Sequence, residues 1–383
     1  MNPFNFFLDT KIDFGSGSLN HVIGYIKEFG ASVVLLVLDR NVLKLGLVDE
    51  LLETLSKEQV NYHIYDNIDP NPRLIHVDIG TTQFKEHGCN LVVAIGGGST
   101  IDVAKGICVV AKNGGKCFDY LDGRKEKKRA IYDSIPLIAV PTTAGTGSEV
   151  TMYSVILDND LVKDSITSTH IYPSVAVIDP LLMKKIPRET VIYTGLDAFA
   201  HALEAYTSNI SNALCDVFSL EALRLIFEWL PIAVNENTQQ SKEKMAFAST
   251  LAGVAMSHQA ANLPHALGCA LGANYDLSHG LAVASLILPM VKYNSSICAQ
   301  EFEDIVNYIS PTKQRNRADS AKQLTVMIEE LFKNVGFDYK IGKYPSEEIL
   351  SKMVHDASIH GCLLCNKRIP SEQDIKDMFL SIL

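Results

Sequence analysis

The first half of the chain alternates short apolar runs with amphipathic stretches, and this alternation limits the possible folds more than any other feature. Five runs have the length and the β-branched content of strands and are bounded by turn or cap residues. They are residues 33–38, 62–65, 91–95, 137–140 and 175–178. Strands that alternate with helices form a parallel sheet covered by helices. The first half therefore predicts an α/β domain.

The pattern changes near residue 185. Beyond Ile186 and Pro187 strand signals nearly vanish, and long helical patterns rich in alanine and leucine follow. The clearest of these patterns are residues 197–206, 213–230, 244–256 and 320–335. We therefore expect an α/β domain over residues 1–185 and an all-helical domain over residues 186–383, packed closely around a cleft of the kind that holds ligands.

Composition and charge argue against several classes of protein. The 383 residues are 47% hydrophobic and 20% charged, which is ordinary for a globular chain. A net charge of -10 argues against nucleic-acid binding, which needs a basic face, and the basic run at residues 124–129 is interpreted as a solvated loop. No apolar run is long enough to span a bilayer, and residues 1–9 lack the features of a signal peptide. The sequence predicts a cytoplasmic protein without nucleic-acid or membrane partners.

The eight cysteines are scattered, several of them in apolar segments. This distribution is typical of reduced, buried thiols and not of a disulfide framework. Cys362 and Cys365 form a C-x-x-C pair, but the chain has no second pair at zinc-ribbon spacing. We therefore interpret their spacing as chance.

Two glycine-rich loops follow predicted strands. Gly96, Gly97 and Gly98 lead from an apolar strand into Ser99 and an amphipathic helix, so bare backbone N–H groups and a helix N-terminus can meet a pyrophosphate. The loop at residues 141–149 follows the next strand and is rich in threonine and glycine. Two such loops at successive strand ends can bind a dinucleotide. The alternative is that both are tight turns that need positive φ.

Four residues of metal-binding type recur at informative spacings. Asp197 and His201 are four residues apart in a helix-favouring run, so both side chains lie on one helical face. His265 follows Pro264 in the first turn of a predicted helix, and His279 begins another. Mixed nitrogen and oxygen ligands suit iron(II), zinc, cobalt or manganese. The alternative is that these are ordinary core or capping side chains.

Asp39 directly follows the predicted strand at residues 33–38. A carboxylate there can accept hydrogen bonds from the ribose hydroxyls of an adenosine and would repel the additional phosphate of NADP. The sequence therefore predicts a preference for NAD over NADP. The alternative is that Asp39 only caps the following turn.

Taken together, these segments resemble the iron-containing, or group III, alcohol dehydrogenases, which are related to glycerol dehydrogenases and dehydroquinate synthases. The resemblance covers almost the whole chain and rests on Asp39 and on residues 69–72, 96–105, 141–151, 195–197, 265–280 and 362–368. It implies an N-terminal dinucleotide-binding α/β domain, an all-helical C-terminal metal-binding domain, and a metal and nicotinamide site in the cleft between them. It also implies a homodimer or a higher homo-oligomer.

The resemblance assigns roles to individual residues. Asp197, His201, His265 and His279 correspond to the metal ligands, with Fe²⁺ as the first expectation and Zn²⁺ or another divalent ion as the second. The cofactor contacts that it implies are Asp39, Asn71, Gly97, Gly98, Ser99, Asp102, Thr142, Thr143, Thr146 and Lys163. Lys163 corresponds to a family lysine near the ribose.

The chain departs from the family pattern at two positions. Cys269 stands four residues after His265, where the family usually has a second histidine implicated in proton movement near the substrate. A thiol is a poorer proton shuttle at neutral pH because its unperturbed pKa lies above that of imidazole. His258 stands where many relatives have asparagine or another small polar residue. We expect the enzyme to use another proton route, such as water or His258, or to accept a slower step. The alternative is that His258 only packs and that Cys269 is a small apolar wall of a pocket for a larger substrate.

These observations predict a metal-dependent, NAD(P)-linked enzyme that interconverts an alcohol and its aldehyde or ketone by hydride transfer. Three alternatives stay open. A lyase related to dehydroquinate synthase would need additional basic side chains around the cleft, which the sequence does not show. A hydroxyacid-oxoacid transhydrogenase would hold its nicotinamide through turnover. A non-catalytic binding member would have lost a metal ligand, whereas this chain has all four.

Overall fold

The computed structural model describes residues 3–123, 128–159, 162–310 and 319–383. Residues 124–127 of the basic run predicted as a solvated loop lie outside this part. The described chain divides into two compact units. The α/β unit comprises residues 7–143 and 147–185, and the helical unit comprises residues 144–146, residues 186–383 and the described residues before Phe7.

A six-stranded parallel sheet forms the centre of the α/β unit. Its strand order is β1-β8-β5-β4-β2-β3, and a separate antiparallel pair is formed by β6 and β7. The strands are β1 Lys11–Phe14, β2 Val33–Leu38, β3 Asn61–Tyr65, β4 Leu91–Gly96, β5 Leu137–Pro141, β6 Tyr153–Leu157, β7 Lys163–Thr167 and β8 Val175–Ile178. The helices of this unit are α1 Val22–Glu28, α2 Arg40–Lys44, α3 Asp49–Lys57, α4 Leu74–Glu86 and α5 Gly98–Asn113. All five predicted strands are present in the sheet.

The central strands are apolar on both faces because helices cover both faces. In β2, Leu35 and Val37 pack with residues of α4 and α5, such as Val77 and Ile107. The alternating residues Val34 and Leu36 join the opposite core, which contains side chains of α1 and α3. Parallel sheets that are buried on both faces are expected to have such continuous apolar strands. This burial explains why runs of four to six apolar residues were sufficient to predict them.

Sequence reasoning missed three strands, β1, β6 and β7, and two of them, β1 and β7, are exposed or polar. β1 lies at the edge of the sheet beside β8, and most of its side chains are exposed. β7 has the sequence Lys163-Asp164-Ser165-Ile166-Thr167 and pairs antiparallel with β6. Neither strand has the apolar pattern of a buried strand, because neither is buried on both faces.

The second unit is helical. Its helices are α6 Arg188–Thr207, α7 Ala213–Asn235, α8 Gln239–Gln259, α9 Leu263–Tyr275, α10 His279–Ala284, α11 Ile287–Tyr293, α12 Ala299–Ile309, α13 Ser320–Val335, α14 Glu347–Ser358 and α15 Glu372–Ile382. A single large core joins side chains from α6 to α15, including Phe199, Phe302 and Phe379. Among the described residues, none of the helices combines the length and the apolar character that crossing a membrane requires.

We predict that Gly280 is needed for the close packing of α10 on α6. A Cβ atom at Gly280 would lie 2.7 Å from the carbonyl carbon of Tyr193, and backbone cannot move aside as a side chain can. Gly280→Ala should therefore destabilise the protein by about 1–3 kcal/mol through overpacking. The midpoint of urea unfolding, followed by circular dichroism, measures this effect.

Gly24→Ala is the matched control for this substitution. Gly24 lies in α1, and a Cβ atom there would meet nothing within 4 Å. Alanine should stabilise the helix at this position by roughly 0.5–1 kcal/mol. An unchanged midpoint in the Gly280→Ala variant would contradict the packing argument.

Candidate metal centre and cofactor loops

Helix α6 carries three buried polar side chains on one face. Asp197, His201 and Glu204 follow one another at spacings of four and three residues, so they lie along one side of the helix. Their exposed fractions are 2%, 4% and 0%. Burial of two carboxylates and an imidazole is costly unless they are paired or bind a cation. This face of α6 is therefore the foundation of a polar centre inside the helical core.

Glu204 holds the beginning of α9. Its Oε1 atom accepts hydrogen bonds from the backbone N–H groups of Asn262 at 3.0 Å and His265 at 3.1 Å. Its Oε2 atom contacts Nδ1 of His265. Asn262 is the N-cap residue of α9, and Pro264 occupies the first turn as predicted. A carboxylate at this helix N-terminus satisfies N–H groups that have no partner within the helix.

His279 enters the centre from α10. It is the first residue of this helix, after the N-cap residue Ser278, as the sequence predicted. The adjacent Gly280 packs against the Tyr193 backbone in α6 and so determines how closely α10 approaches. The loop between α9 and α10 reverses at Asp276, which has a φ of 51°.

The structure brings together three of the four predicted ligands. Asp197, His265 and His279 each offer one ligand atom, and these atoms lie within 4.8 Å of one another. Asp197 Oδ1 lies 3.5 Å from His265 Nε2 and 3.8 Å from His279 Nε2. His201 lies outside this group, with its ring stacked on that of His265 at a centroid distance of 4.5 Å. Gly145 contacts His201 through its backbone.

Burial and neighbouring charges shift the pKa values of the side chains in this centre. Burial would raise the pKa of Asp197, but the charges of His201 and His279 outweigh it and hold the pKa well below its usual range. Burial would lower the pKa of His265, but Glu204 and Asp197 outweigh it and raise the pKa well above its usual value. Burial lowers the pKa of His201. The centre therefore favours a positive charge close to Asp197 and His265.

The residues fit a divalent metal ion. Asp197 Oδ1, His265 Nε2 and His201 Nδ1 are buried and lack a hydrogen-bond partner among the described residues. Buried polar atoms without partners are rare, and the two that face each other, Asp197 Oδ1 and His265 Nε2, require an explanation. When His265 is neutral, the contact of Glu204 with Nδ1 favours a proton on that nitrogen, and the Nε2 lone pair then faces Asp197. A cation at this point would satisfy Asp197 Oδ1 and His265 Nε2.

Glu204 is the residue that sequence reasoning missed. It contacts His265 from behind, in the arrangement by which a carboxylate orients a metal-binding imidazole. The available signal was its position seven residues after Asp197, which is two helical turns on the same face. Its contact with α9 could not be read from spacing alone.

The first glycine-rich loop has the predicted position between β4 and α5. Gly97 is the N-cap residue of α5 with a φ of −77°, and none of Gly96, Gly97 and Gly98 has a positive φ. A need for positive φ therefore does not account for the presence of glycine at these three positions. The interpretation of this loop as a tight turn with positive φ is thus wrong. The Ser99 hydroxyl donates a hydrogen bond to the Pro70 carbonyl, next to Asn71, at 2.6 Å.

The second loop lies beside the first. The Thr142 N–H donates to the Gly96 carbonyl at 2.9 Å, and a Cβ atom at Gly97 would lie 3.5 Å from the Thr143 hydroxyl. Thr146 belongs to the helical unit, together with Ala144 and Gly145. Gly147 has a φ of 62°, so this loop does contain a turn that favours glycine.

Asp102 of α5 is hydrogen-bonded to the second loop and to β6, and the charge of Lys163 acts on it. Asp102 accepts hydrogen bonds from the Ser148 hydroxyl at 2.6 Å and the Val155 N–H at 3.2 Å. Burial raises the pKa of Asp102, although the charges of Lys105 and Lys163 act in the opposite direction. The Asp102 carboxylate is thus engaged by the protein itself and positions the loop that contains Ser148.

Asp39 has the capping contact that one interpretation predicted. Its Oδ1 atom accepts a hydrogen bond from the Asn41 N–H at 2.7 Å, and it is the N-cap residue of α2. The next residue, Arg40, donates to Asn67 at 2.8 Å. Capping and cofactor recognition are compatible, because a carboxylate can accept several hydrogen bonds.

The two departures from the family pattern lie in different surroundings. His258, in the last turn of α8, stacks on Phe6 at a centroid distance of 4.4 Å, and its Nδ1 donates to the Val254 carbonyl at 2.9 Å. Cys269 lies in α9, is partly exposed and is hydrogen-bonded to His360. His258 therefore has a packing partner, whereas Cys269 adjoins an imidazole that sequence reasoning had not identified.

Comparison with known proteins identifies the family across the chain. Residues 9–180 match the sequence profile described as "Iron-containing alcohol dehydrogenase", and residues 191–383 match "Fe-containing alcohol dehydrogenase family, C-terminal". A solved structure described as 1,3-propanediol oxidoreductase superposes on this chain with a TM-score of 0.93 and 32% sequence identity. The match covers 100% of each of the two chains. The predicted fold class is thereby confirmed.

Two relatives match over nearly their whole lengths. The NAD-dependent methanol dehydrogenase of Bacillus methanolicus is 32% identical over 99% of this chain and 100% of its own length. The 1,3-propanediol dehydrogenase of Klebsiella pneumoniae is 32% identical over 98% of both proteins. The chain therefore belongs to the iron-containing alcohol dehydrogenase family and is a metal-dependent oxidoreductase that acts on alcohols, as the sequence predicted.

Proposed function

We propose that the protein interconverts a small primary alcohol and its aldehyde with NAD as the hydride carrier. The observation that carries the proposal is the group of buried atoms without partners at Asp197 and His265, which a divalent ion would satisfy. The relatives that act on methanol and on 1,3-propanediol, both primary alcohols, support this substrate class.

We propose Asp197, His201, His265 and His279 as the metal ligands, with iron(II) as the first expectation. A bound divalent ion would act as a Lewis acid that favours the alkoxide form of the alcohol. Asp197 supplies the negative charge that offsets the ion, and Glu204 keeps a proton on His265 Nδ1 so that Nε2 can bind. His201 completes the set by a change of side-chain conformation from its stacked position on His265.

We propose the cofactor role for residues 1–185 and the metal and substrate role for residues 186–383. The backbone N–H groups of Gly97, Gly98 and Ser99 at the start of α5 would bind the pyrophosphate. Thr142, Thr143, Thr146, Asn71 and Lys163 are the further contacts that the resemblance implies. Asp102 would act indirectly, since its carboxylate positions the loop at Ser148.

Two further proposals concern the protein in the cell. We propose that it is a homodimer or a higher homo-oligomer and that it acts in the cytoplasm. The oligomer proposal rests on the family resemblance, and the location proposal rests on the lack of signal-peptide features in residues 1–9 and of a membrane-spanning apolar run.

We predict that His265→Ala and His279→Ala each lower the bound metal and abolish turnover while retaining the fold. The ion joins helices that already share one packed core, so its loss should leave the circular dichroism spectrum unchanged. Metal content by elemental analysis is the deciding measurement. Full metal stoichiometry in both variants would contradict the ligand assignment.

Glu204→Gln tests the same centre without removing a ligand. The amide nitrogen would donate to His265 Nδ1, which moves the ring proton to Nε2 and blocks the lone pair that faces Asp197. Metal affinity should fall by about 10–100-fold, as for other residues that orient a ligand. Glu189→Gln, on the exposed first turn of α6, is the matched control and should retain full affinity.

We predict that the charge of Asp39 determines the preference for NAD. Asp39→Asn keeps a good N-cap for α2 but removes the negative charge that repels the 2′-phosphate of NADP. The ratio of kcat/KM for NAD and NADP should therefore move toward NADP in Asp39→Asn and further in Asp39→Gly. If Asp39 only caps α2, Asp39→Asn should change neither this ratio nor the stability.

We propose that the proton route near Cys269 differs from that of the family. Cys269→His should raise kcat for small alcohols and shift its pH dependence, because imidazole titrates near neutral pH. His258→Ala should depress kcat near neutral pH if His258 carries the proton. If it only packs on Phe6, its loss should lower the unfolding midpoint and leave the pH profile of kcat unchanged.

A further inference from the structure

Cys362 and Cys365 lie on the same face of a short 3₁₀ helix. This helix spans Gly361–Cys365 and packs beside α9 in the helical unit. In a 3₁₀ helix, side chains three residues apart are eclipsed, and their Cα atoms are separated by roughly 6 Å along the axis. Disulfides typically join Cα atoms about 5.5–6 Å apart. The C-x-x-C spacing, interpreted as chance from the sequence, thus places two thiols where a disulfide can join them.

The backbone of this turn is held in place at both ends. The Cys365 carbonyl accepts hydrogen bonds from the Asn209 N–H at 3.0 Å and the Ser208 hydroxyl at 3.3 Å. At the other end, Nδ1 of the N-cap residue His360 accepts the Cys362 N–H at 3.3 Å. The two thiols are therefore positioned before any reaction, which reduces the entropic cost of joining them.

The two cysteines differ in their surroundings. His360 forms hydrogen bonds with the side chains of Cys269 and Cys362. The imidazole of His360 is therefore placed to take up the Cys362 proton as that thiol attacks. Burial and the neighbouring Cys362 raise the pKa of the Cys365 thiol. Cys362 is thus suited to attack first and Cys365 to follow.

Accessibility separates this pair from most other thiols of the chain. Cys362 and Cys365 are partly exposed, as is Cys269, whereas the other five cysteines are buried. Among the residues that the structure describes, the group of side chains suited to a metal ion is the one at Asp197 and does not include these cysteines. Thiol chemistry is therefore favoured over metal binding here.

We propose that Cys362 and Cys365 form a dithiol that exchanges with small organic disulfides, with His360 as the residue that positions and activates Cys362. The Cys362 thiolate attacks one sulfur of the disulfide and forms a new S–S bond, while the other sulfur leaves with the electron pair and takes up a proton. Cys365 then attacks the sulfur of Cys362, and the second small thiol leaves in the same way. The dithiol is oxidised by two electrons, and the small disulfide is reduced to two thiols.

The test exposes the full-length protein to oxidised glutathione, quenches with acid and measures intact and peptide masses. The native chain should lose the mass of two hydrogens within one peptide that contains both cysteines. Cys365→Ser should retain one glutathionyl group on Cys362, because the second step is lost. Cys362→Ser should react at least about tenfold more slowly, because the thiol that adjoins His360 is absent.

The variant His360→Asn separates the effect of the His360 ring on the Cys362 thiol from its role as the N-cap of the 3₁₀ helix. Asparagine is a good N-cap and can accept the Cys362 N–H, but it lacks the basic ring. The initial exchange rate at Cys362 should fall by about tenfold because the base beside this thiol is lost, whereas the disulfide should still form because both thiols stay in place. Buried Cys108 and Cys298 serve as internal controls that should stay unmodified in the folded protein.

Cys269→Ser is the matched control for the third exposed thiol. It should leave the linkage between Cys362 and Cys365 intact. A disulfide between Cys269 and Cys362 would overturn the proposed pairing. A stable glutathione adduct on the native chain without loss of two hydrogens, or equal rates in the native chain and Cys362→Ser, would overturn the dithiol itself.

Discussion

The contact between Glu204 and His265 is the interaction on which the centre of the helical unit depends. A carboxylate with no exposed surface lies inside the core and would be strongly unfavourable without partners. Glu204 instead satisfies two N–H groups at the start of α9 and the ring of His265. One side chain thereby joins α6 to α9, caps a helix and selects the imidazole nitrogen that can bind a metal ion.

The sequence predicted elements better than the contacts between them. Runs such as residues 91–95 were recognised because burial on both faces makes a strand continuously apolar, and the polar β7 was missed because it lacks that constraint. At the metal centre, the spacing of Asp197 and His201 predicted a shared helical face. The role of Glu204 depends on Asn262 and His265 in α9, a long-range contact that no local pattern encodes.

A second buried network stabilises the α/β unit in a comparable way. Lys105 is fully buried and donates to the carbonyls of Thr151 at 2.8 Å and Tyr153 at 2.7 Å. Burial lowers its pKa to about 8, opposed by the charges of Asp102 and Glu149. Because the folded pKa lies below the unfolded value, this group reduces stability below about pH 8, and the penalty is relieved as pH rises. The network positions Asp102 and hence the loop at Ser148.

The two networks differ in what they leave unsatisfied. Around Lys105 every donor has a carbonyl or hydroxyl partner, so that network is complete without any ligand. At the centre on α6, Asp197 Oδ1 and His265 Nε2 face each other at 3.5 Å, too far for a good hydrogen bond and without another partner among the described residues. A folded protein can tolerate unpartnered buried atoms of this kind when they bind an ion, because an ion that binds only the folded state stabilises that state. The incomplete network, and not burial or charge by itself, distinguishes the functional centre from the structural one.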